Sequence, residues 1–593
     1  MLHIPDTIQN RADYAKFAAE ILRKRSSDWC WQKLAVLGCH TTEFFNPYLV
    51  VEAGRHGIGL DIWNGPYAQI EQQVLNSSSG LYASGPDVVL VLPDLQEMVP
   101  ELVFRYLALQ SHEVEALREN FVYRIRGVIE SIRKRSSMRI LLGNLTPPLW
   151  VASGISDPML HRPFANLLAE INQQLGQICR DTSGAQLFDL DGLARDVGLR
   201  QWRDDRMALL ARAPYSGSAM SAVGRLVGRH LRSALSTPKK CLVLDMDNTL
   251  WGGVLGEGGV DGIQLGPDYP GNVFVDFQRR VLALRDRGVL LAAASKNNAA
   301  DVEQVLAEHP SSVLKREHFS AFEVHWEDKA TSLRRIAKVL NIGLDALVFF
   351  DDNPVEREWV KNQLSEVMVI EVPKSPMLYA PALEQSLAFD TFVLTEEDRK
   401  RAELYEQESS RSQAQAGATS MEDFIRALEM KVTVGLFDEA NLPRIVQLLG
   451  KTNQFNLTTR RHDQARLTAM MNEGAIGVWA KIRDRFGDSG LVAVAMAVKV
   501  EDEWEIDSFL MSCRVIGRGV ETAVLAVLER LVRQRGGGEI YGTYLETAKN
   551  QPAANFFERH GYSKVSSSED RWHLSLDELR SLPDSFVVSC LTQ

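Results

Sequence analysis

The sequence predicts an α/β protein whose central part is a parallel β-sheet. Residues 241–244, 289–294 and 346–350 are continuous apolar runs, and each is followed at once by polar residues. Apolar runs without alternation predict strands that are buried on both faces, as in a parallel sheet. Stretches with helical patterns separate the runs, which fits a strand–helix alternation. In such sheets ligands bind at the carboxyl ends of the strands, so we expect a functional site where these runs end.

Length and composition predict a multidomain protein of ordinary globular type. The chain has 593 residues, of which 45% are hydrophobic and 24% charged, enough for about three to five domains. The net charge of −11 argues against nucleic acid as a partner, because phosphate contacts need a basic surface. Six cysteines show no paired spacing, so neither a zinc site nor a disulfide framework is indicated. Neither a signal pattern nor an apolar run of membrane-spanning length occurs, which predicts a cytoplasmic protein without a membrane partner.

The polar residues after the first run suggest phosphoryl chemistry. Asp245 and Asp247 stand one residue apart, and Thr249 follows two positions later. Two strand-end carboxylates can share a divalent cation, and one of them can attack phosphorus while the other exchanges protons with the leaving group. On its own the Asp-x-Asp-x-Thr pattern is a weak signal, because short Asp-x-Asp strings are common in turns. The prediction therefore depends on the residues that follow the other runs.

The second run and the segment after it supply hydrogen-bond donors and a positive charge. Ser295, Lys296 and Asn297 follow the second run, and a hydroxyl at a strand end can donate a hydrogen bond to a phosphoryl oxygen. Lys329 opens an amphipathic stretch, so we expect it near a helix start. A lysine in that place could neutralise both a phosphate and the nucleophile.

A second pair of carboxylates, Asp351 and Asp352, follows the third run. With the first pair they would complete an oxygen-rich magnesium site. The order of the four motifs along the chain, three of them at strand ends, is far more specific than any one motif. The alternative interpretation is a doubly wound domain whose turn carboxylates only satisfy local hydrogen bonds.

These motifs resemble those of the haloacid dehalogenase (HAD) superfamily, and more narrowly those of its FkbH-like branch. The likeness is carried by Val-Leu-Asp-Met-Asp-Asn-Thr-Leu-Trp-Gly-Gly at 243–253, Ser-Lys-Asn-Asn at 295–298 and Phe-Phe-Asp-Asp-Asn-Pro at 349–354. It implies a HAD Rossmann-like sheet with Asp245 as nucleophile and Asp247 as general acid/base. The resemblance implies Mg²⁺ binding by Asp245, Asp247, Asp352 and Asp351, the last as a ligand or as a support for one. It implies phosphate or substrate binding by Thr249, Ser295, Lys296, Asn297 and Lys329.

The region before this sheet, residues 1–235, is predicted to form another α/β domain. Its apolar runs 34–37, 88–92 and 139–143 alternate with helical patterns. In its position it resembles the amino-terminal domain of FkbH-like proteins, which is related to the SGNH hydrolases.

That relationship implies a nucleophile after the first strand, an Asn after a later strand and an Asp-x-x-His near the end. Here these places hold Cys39 with His40, then Asn144, then Asp189 with Gly192. Because Gly192 stands where the His is expected, a base that could activate a nucleophile is missing. We expect a degenerate SGNH-like domain that docks a partner such as a carrier protein.

Residues 395–424 are polar and rich in helix-forming residues, which predicts a helical linker. They separate the predicted HAD-like domain, residues 238–394, from residues 425–593. The last region contains strand-like runs with mixed or continuous apolar faces, so we expect an α/β sheet there too.

Two motifs in this last region resemble those of GNAT acyltransferases. Arg514, Gly517 and Gly519 precede a helical pattern, and backbone amides at a helix start can bind an anion. Asn550 opens a stretch similar to the carboxyl-terminal GNAT motif. The resemblance implies that these residues bind coenzyme A or a phosphopantetheine arm, in an active domain or in one that only docks a carrier. The polar residues 451–461 fit either an acidic or phosphorylated partner or an ordinary solvated loop.

The resemblance as a whole implies the reaction of the FkbH-like branch. In that reaction the glyceryl group of 1,3-bisphosphoglycerate is dephosphorylated and loaded on the phosphopantetheine thiol of an acyl carrier protein, for polyketide-type biosynthesis. Ser295 lies only fifty positions after Asp245, too close for a large cap domain between them. An uncapped site leaves room for a macromolecular substrate.

One departure bears on how an acyl group would be held. FkbH-like relatives carry a Cys just before Ser-Lys-Asn, whereas this chain has Ala294, which cannot form a thioester. Three interpretations stay open: direct transfer to the carrier with Asp245 alone, use of another cysteine, or a phosphatase or acyltransferase for a different phosphorylated three-carbon acid. A noncatalytic assembly module is a further alternative, and the intact Asp-x-Asp-x-Thr pattern argues against it.

Overall fold

Three β-sheets carry the described part of the chain, and two of them are entirely parallel. The chain divides into two units, Met1–Ser236 and Thr237–Gln593, and the second unit holds two of the sheets. Among the described residues, no helix combines the length and the apolar character needed to cross a membrane. The computed structural model describes residues 4–5, 8, 10–392, 394, 411, 420–451, 455–512, 515–547, 550–565, 570–584 and 586–591.

The first unit contains five parallel strands in the order β2-β1-β3-β4-β5. These strands are β1 (Cys30–Gly38), β2 (Ile58–Asn64), β3 (Val88–Leu92), β4 (Arg139–Gly143) and β5 (Ala185–Phe188). The helices are α1 (Arg11–Lys24), α2 (Asn46–Gly54), α3 (Ile70–Leu75), α4 (Gly80–Ala83), α5 (Leu95–Met98), α6 (Pro100–Phe104), α7 (Ser111–Arg135), α8 (Phe164–Asp181), α9 (Leu190–Val197), α10 (Leu199–Trp202), α11 (Asp205–Ala211) and α12 (Gly217–Leu235).

Strand β3 shows why this sheet needs helices on both sides. All of its residues are buried. Val89 and Val91 belong to one apolar core, whereas Val88, Leu90 and Leu92 belong to another. Successive side chains of a strand point to opposite faces, so each face of the sheet is covered by its own layer of helices.

The second sheet has five parallel strands in the order β10-β9-β6-β7-β8. They are β6 (Cys241–Leu244), β7 (Leu290–Ser295), β8 (Phe319–Val324), β9 (Leu347–Phe350) and β10 (Met368–Val369). The helices that belong to it are α13 (Leu255–Gly262), α14 (Gly271–Asp286), α15 (Ala299–Glu308), α16 (Lys329–Val339), α17 (Pro354–Gln363) and α18 (Tyr379–Gln385). The three apolar runs predicted as strands therefore form β6, β7 and β9.

The register of this sheet decides which strand ends meet. Leu244 at the end of β6 pairs with Ala293 of β7 and with Phe350 of β9. Because the three strands are parallel and adjacent, the residues that follow them emerge at one edge of the sheet. This edge receives both carboxylate pairs and the Ser-Lys-Asn motif.

The third sheet has eight strands in the order β16-β17-β15-β14-β13-β12-β11-β18. It is mostly antiparallel, with parallel pairs β14–β15 and β11–β18. The strands are β11 (Lys431–Leu436), β12 (Ile476–Asp484), β13 (Gly487–Val500), β14 (Glu503–Met511), β15 (Glu539–Thr543), β16 (Ser563–Lys564), β17 (Arg571–Ser575) and β18 (Val587–Leu591). The helices are α19 (Met421–Ala427), α20 (Leu442–Lys451), α21 (Gln464–Asn472), α22 (Val520–Gln534) and α23 (Phe556–Arg559). Of the predicted linker, 395–424, only residues 411 and 420–424 lie within the described part.

Gly271→Ala is expected to lower the free energy of unfolding by about 1–3 kcal/mol, because overpacking strains a close-packed site. A Cβ at this position, the first residue of α14, would lie 2.5 Å from the backbone nitrogen of Gly266. Gly256→Ala is the matched control, since a Cβ there meets no atom within 4 Å. Thermal unfolding measures both variants. Equal melting temperatures for the two would contradict the close approach.

Candidate active site

The carboxylates that follow β6 and β9 form one cluster. Asp245, Asp351 and Asp352 each offer an oxygen, and these oxygens all lie within 4.8 Å of one another. The adjacent strand ends bring them together, since the backbone N–H of Asp245 donates to the carbonyl of Phe350 at 3.1 Å. Asp351 is fully buried, and Asp245 is 9% exposed. The cluster is therefore set into the edge of the sheet and not on an open surface.

Lys329 connects this cluster to the neighbouring strand. It is the first residue of α16, as predicted, and the side chain of Asp328 caps that helix. Its Nζ donates to Asp245 Oδ1 at 2.6 Å and to the carbonyl of Ala294 at 2.5 Å, and it lies 3.2 Å from Asp351 Oδ2. Burial by itself would lower the pKa of Lys329, but the charges of Asp245 and Asp351 outweigh it and raise that pKa. Lys329 is thus a buried ammonium.

The single positive charge of Lys329 does not neutralise the negative charges of the carboxylate cluster. Burial and the charge of Asp245 raise the pKa of Asp351 to about 7, although Lys329 acts in the opposite sense. Burial and the charge of Asp245 also raise the pKa of Asp352, to about 6. Asp351 Oδ2 is buried and accepts no hydrogen bond despite its ion pair with Lys329. An excess of negative charge and an oxygen-only donor set fit a hard divalent cation such as Mg²⁺.

Asp247 lies outside this carboxylate cluster. Its Oδ1 accepts hydrogen bonds from Trp251 Nε1 at 2.9 Å and from the backbone N–H of Leu255 at 3.1 Å. Its Oδ2 accepts from Asn297 Nδ2 at 3.0 Å. The side chain expected to bind metal along with Asp245 is therefore turned toward N–H donors. Among the described residues, its carboxylate is not one of the three whose oxygens lie close enough together to hold a metal ion.

The hydroxyls predicted to bind phosphate lie beside the two aspartate motifs. Thr249 is fully buried, and its Oγ1 accepts from the backbone N–H of Asp352 at 3.3 Å. Ser295 is also buried, and its Oγ accepts a hydrogen bond from Asn297 Nδ2 at 3.1 Å. Asn297 thus joins Ser295 to Asp247. The structure brings these predicted residues to the same strand ends.

The side chain of Lys296 is directed away from the carboxylate cluster. Its Nζ forms an ion pair with Glu356 Oε1 at 2.5 Å. Glu356 stands in the first turn of α17, after β9, whereas Lys296 follows β7. The charge of Lys296 is therefore partnered at the rim and does not enter the carboxylate cluster.

The structure also shows the surroundings of Ala294 and of two cysteines, the residues on which the thioester alternatives depend. The side chain of Ala294 is fully buried in an apolar core with Cys241 and Val243. Burial raises the pKa of Cys241 far above its ordinary value, which disfavours a thiolate there. Burial and the charge of Asp94 raise the pKa of Cys39, in the first unit, to about 12. Neither thiol has the surroundings of a nucleophile.

In the first unit the predicted strand-end residues pair with one another. His40 Nε2 lies 3.1 Å from Asp94 Oδ2, which joins the ends of β1 and β3. Asn144 Nδ2 donates to Asp189 Oδ1 at 2.7 Å, and Asp189 also caps helix α9 through the N–H of Gly192. These contacts satisfy the polar groups locally. Sequence reasoning missed Asp94, because Pro-Asp after an apolar run is ordinary turn material.

The predicted anion loop of the third sheet is only partly described. Arg514 lies outside the described residues. Gly517 and Gly519 both have positive φ, at 80° and 79°, and Gly519 precedes helix α22. Such backbone angles favour glycine, so these two residues are required by the turn whether or not it binds an anion. Glu521 in the first turn of α22 is a buried carboxyl whose pKa is raised by burial.

Asn550 is fully buried, and its side chain is occupied by the fold. Its Nδ2 donates to the carbonyls of Asn456 and Leu545 at 2.9 and 2.8 Å. Its Oδ1 accepts from the backbone N–H of Thr547 at 2.7 Å and from Tyr544 Oη at 3.2 Å. With these four contacts the predicted ligand-binding side chain acts as an internal brace.

Residues 455–458 form a strap between β14 and the segment after β15. The two strands pair in parallel only from Trp504 to Ile506 of β14. Beyond that point Leu457 donates to the carbonyl of Phe509 at 3.1 Å and accepts from the N–H of Leu545 at 2.9 Å. The strap thus forms hydrogen bonds with backbone groups that the diverging strands would otherwise leave unpaired. Part of the predicted partner-binding segment, 451–461, is therefore buried structure.

Comparisons with known proteins agree with this architecture. Residues 33–227 match the model of the FkbH N-terminal domain. The crystal structure of the N-terminal part of the protein BF1531 from Bacteroides fragilis, containing a phosphatase domain complexed with Mg, matches with a TM-score of 0.55 and 25% identity. That match covers 65% of this chain and 100% of the other. The two matches support the FkbH-like assignment. The predicted α/β fold class is confirmed by the parallel sheets and by this HAD phosphatase-like neighbour.

Two further likenesses are confined to about a quarter of the chain. The ribosomal-protein-S18-alanine N-acetyltransferase from Escherichia coli matches with a TM-score of 0.20 and 14% identity, covering 25% of this chain and 95% of the other. An acetyltransferase of the GNAT family from Staphylococcus aureus matches with a TM-score of 0.20 and 9% identity, covering 25% and 99%. No curated protein matches this chain.

Lys329→Met is expected to cost about 3–5 kcal/mol of stability in the absence of divalent metal, because it leaves buried carboxylates without their ammonium. Lys296→Met is the matched control, since the Lys296–Glu356 pair is partly exposed and such pairs contribute about 1 kcal/mol or less. Chemical denaturation in chelator, followed by tryptophan fluorescence, compares the two. If Lys329→Met unfolds at the same denaturant concentration as Lys296→Met, the inference that the Lys329 ammonium stabilises the buried carboxylates is wrong.

Proposed function

We propose that the chain is a magnesium-dependent HAD-type phosphatase and glyceryl transferase that loads an acyl carrier protein. The single observation that carries the proposal is the cluster of Asp245, Asp351 and Asp352 around Lys329 at the edge of a parallel sheet. The match to the FkbH N-terminal domain and the phosphatase-domain neighbour support an FkbH-like enzyme of HAD type. That neighbour was crystallised with Mg, which supports the same ion here.

The carboxylates of Asp245, Asp351 and Asp352 would hold the metal. Bound Mg²⁺ would neutralise the phosphoryl oxygens next to the nucleophile and so lower the barrier to attack. Lys329 holds Asp245 through Oδ1, and Oδ2 of the same carboxylate is the atom that attacks phosphorus. The ammonium also reduces the repulsion between the nucleophile and the phosphate that approaches it.

Asp247 is the group that moves protons. In the first step it gives a proton to the leaving oxygen as the phosphorus–oxygen bond breaks, and in the second it takes a proton from the water that attacks the aspartyl phosphate. Its carboxylate is held by N–H donors on both oxygens, so it keeps its place between the two steps. The Ser295 and Thr249 hydroxyls at neighbouring strand ends supply hydrogen bonds to the phosphoryl oxygens.

For the transfer, we favour the direct route, because Ala294 and the buried Cys241 offer no thiol for a thioester. The carrier's phosphopantetheine thiol attacks the C1 carbonyl of 1,3-bisphosphoglycerate. A carbon–sulfur bond forms, the acyl carbon–oxygen bond breaks, and phosphate leaves with the thiol proton. Asp245 then removes the phosphoryl group from the C3 oxygen.

Three exposed apolar side chains in the segments that flank Lys329 and Asp352 favour a long, partly apolar acceptor. Trp326, Val355 and Trp359 are exposed at 74%, 72% and 47%, although all three are large and apolar. Trp326 lies three residues before Lys329, and Trp359 Nε1 donates to the carboxylate that caps the same helix at 3.2 Å. A three-carbon acid has no use for such a surface, whereas the apolar portion of a pantetheine arm can pack on it.

A phosphatase or acyltransferase for another phosphorylated small acid is the second candidate function. Ala294 favours it, because the thiol of the FkbH-like pattern is absent. A noncatalytic module that only docks a carrier is disfavoured by the buried charges around Lys329, which a purely structural domain would not need. The third sheet would serve either function as the surface for coenzyme A or the carrier arm.

Intact-protein mass spectrometry tests the transfer. A phosphopantetheinylated acyl carrier protein is incubated with the full-length enzyme, Mg²⁺ and 1,3-bisphosphoglycerate. We expect the carrier to gain the mass of a glyceryl group, because the thiol is the final acceptor. A carrier without its phosphopantetheine arm is the control. Release of phosphate without any mass gain would contradict the transfer and favour the second candidate.

Asp245→Asn is expected to reduce Mg²⁺-dependent hydrolysis of 4-nitrophenyl phosphate by roughly 10³-fold or more, because the amide cannot attack phosphorus. Removal of Mg²⁺ with a chelator should have a similar effect on the unchanged enzyme. Asp301→Asn, an exposed carboxylate in the first turn of α15, is the control and should retain activity. Full activity in Asp245→Asn would refute the nucleophile assignment.

A further inference from the structure

Asp247 is held mostly by the segment that follows it in sequence. Trp251 Nε1 and the backbone N–H of Leu255 both donate to Asp247 Oδ1, at 2.9 and 3.1 Å. Asn297, from the end of β7, donates to the other oxygen at 3.0 Å. Trp251 and Asn297 are 0% and 4% exposed, so water does not compete for these hydrogen bonds.

Leu255 begins α13, which belongs to a glycine-rich flap, residues 252–262. The flap is closed at its base by the pair Gly252–Gln264, whose backbone groups exchange hydrogen bonds of 3.1 and 2.8 Å. Gly256 and Gly258 are exposed, and a Cβ on either would meet no atom within 4 Å. Most of the flap therefore projects away from the core. Leu255, which is 3% exposed, is its buried anchor.

We propose that Trp251 is a positioning residue for Asp247, and that the Leu255 amide couples the place of the flap to the orientation of that carboxylate. The inference rests on the proposed function, in which Asp247 moves protons. When the flap lies as described, Asp247 has three N–H donors and a single orientation. When Leu255 moves with the flap, the carboxylate loses this donor and depends on Trp251 and Asn297 alone.

The coupling has a chemical consequence that distinguishes it from simple packing. An alkyl phosphate releases a strongly basic alkoxide unless a proton reaches the leaving oxygen in the transition state, so it needs a correctly oriented Asp247. A 4-nitrophenyl phosphate releases a weakly basic phenolate and needs little help. Disorientation of Asp247 therefore slows the alkyl ester selectively, whereas a general loss of folded enzyme slows both esters equally.

Trp251→Phe removes the indole N–H while it keeps an aromatic ring in the core. We expect the ratio of kcat/KM for glycerol 2-phosphate to kcat/KM for 4-nitrophenyl phosphate to fall about tenfold or more. Tyr379→Phe is the matched control. Its Oη donates to the carbonyl of Asn248, in the same turn, without touching Asp247. An unchanged ratio in Trp251→Phe, or the same fall in Tyr379→Phe, would overturn the proposal.

Hydrogen–deuterium exchange tests the hydrogen bond between Leu255 and Asp247 and does not depend on enzymatic activity. In Asp247→Ala the acceptor of the Leu255 amide is gone, so peptides that cover 254–262 should exchange faster than in the unchanged protein. Peptides of α14 in the same sample serve as the internal reference for folding. Unchanged exchange in the flap would overturn the coupling. Inactivity of the unchanged enzyme toward both esters would instead refute the proposed function, and the exchange result would still stand.

Discussion

The buried ammonium of Lys329 is the interaction on which the candidate site depends. It contacts residues at the ends of three adjacent strands: Asp245 after β6, the carbonyl of Ala294 near the end of β7 and Asp351 after β9. Without a positive charge there, strand ends that carry so many carboxylates would repel one another in a medium of low dielectric constant. The parallel register that aligns these strand ends and the helix start that presents Lys329 are thus parts of one arrangement.

At this edge of the sheet, the two aspartates of the first motif, Asp245 and Asp247, have different surroundings. Asp245 faces an ammonium and two further carboxylates, whereas Asp247 faces N–H donors from Trp251, Leu255 and Asn297. These two carboxylates, with one residue between them, therefore have separate surroundings, which the proposed roles of nucleophile and proton carrier require. The flap contributes to the surroundings of Asp247, because the backbone N–H of Leu255 donates to that carboxylate.

The first and third sheets show how polar groups near strand ends can find hydrogen-bond partners within the protein. In the third sheet the strap, residues 455–458, fills the divergence between β14 and β15, and Asn550 braces it. In the first unit His40 pairs with Asp94, and Asn144 pairs with Asp189. Buried polar groups must find partners within the protein, and here those partners are neighbouring strand ends. A ligand at either place would have to compete with these contacts.

The sequence by itself determined the strands of the second sheet and most of its site. Apolar runs and the residues after them depend on local burial and on strand direction, so β6, β7, β9 and the aspartates at their ends could be read from the chain. Lys329 at a helix start followed from amphipathic spacing.

Only the tertiary structure decided which partner each side chain takes. It turned Lys296 to Glu356, joined Trp251 to Asp247, buried Ala294 and Cys241 in one core, and enclosed Asn550 beneath the strap. Each of these contacts joins a strand end to a helix, a turn or a core layer whose position depends on packing. Spacing along the chain carries no information about such distances, because they are set by how the layers close on one another.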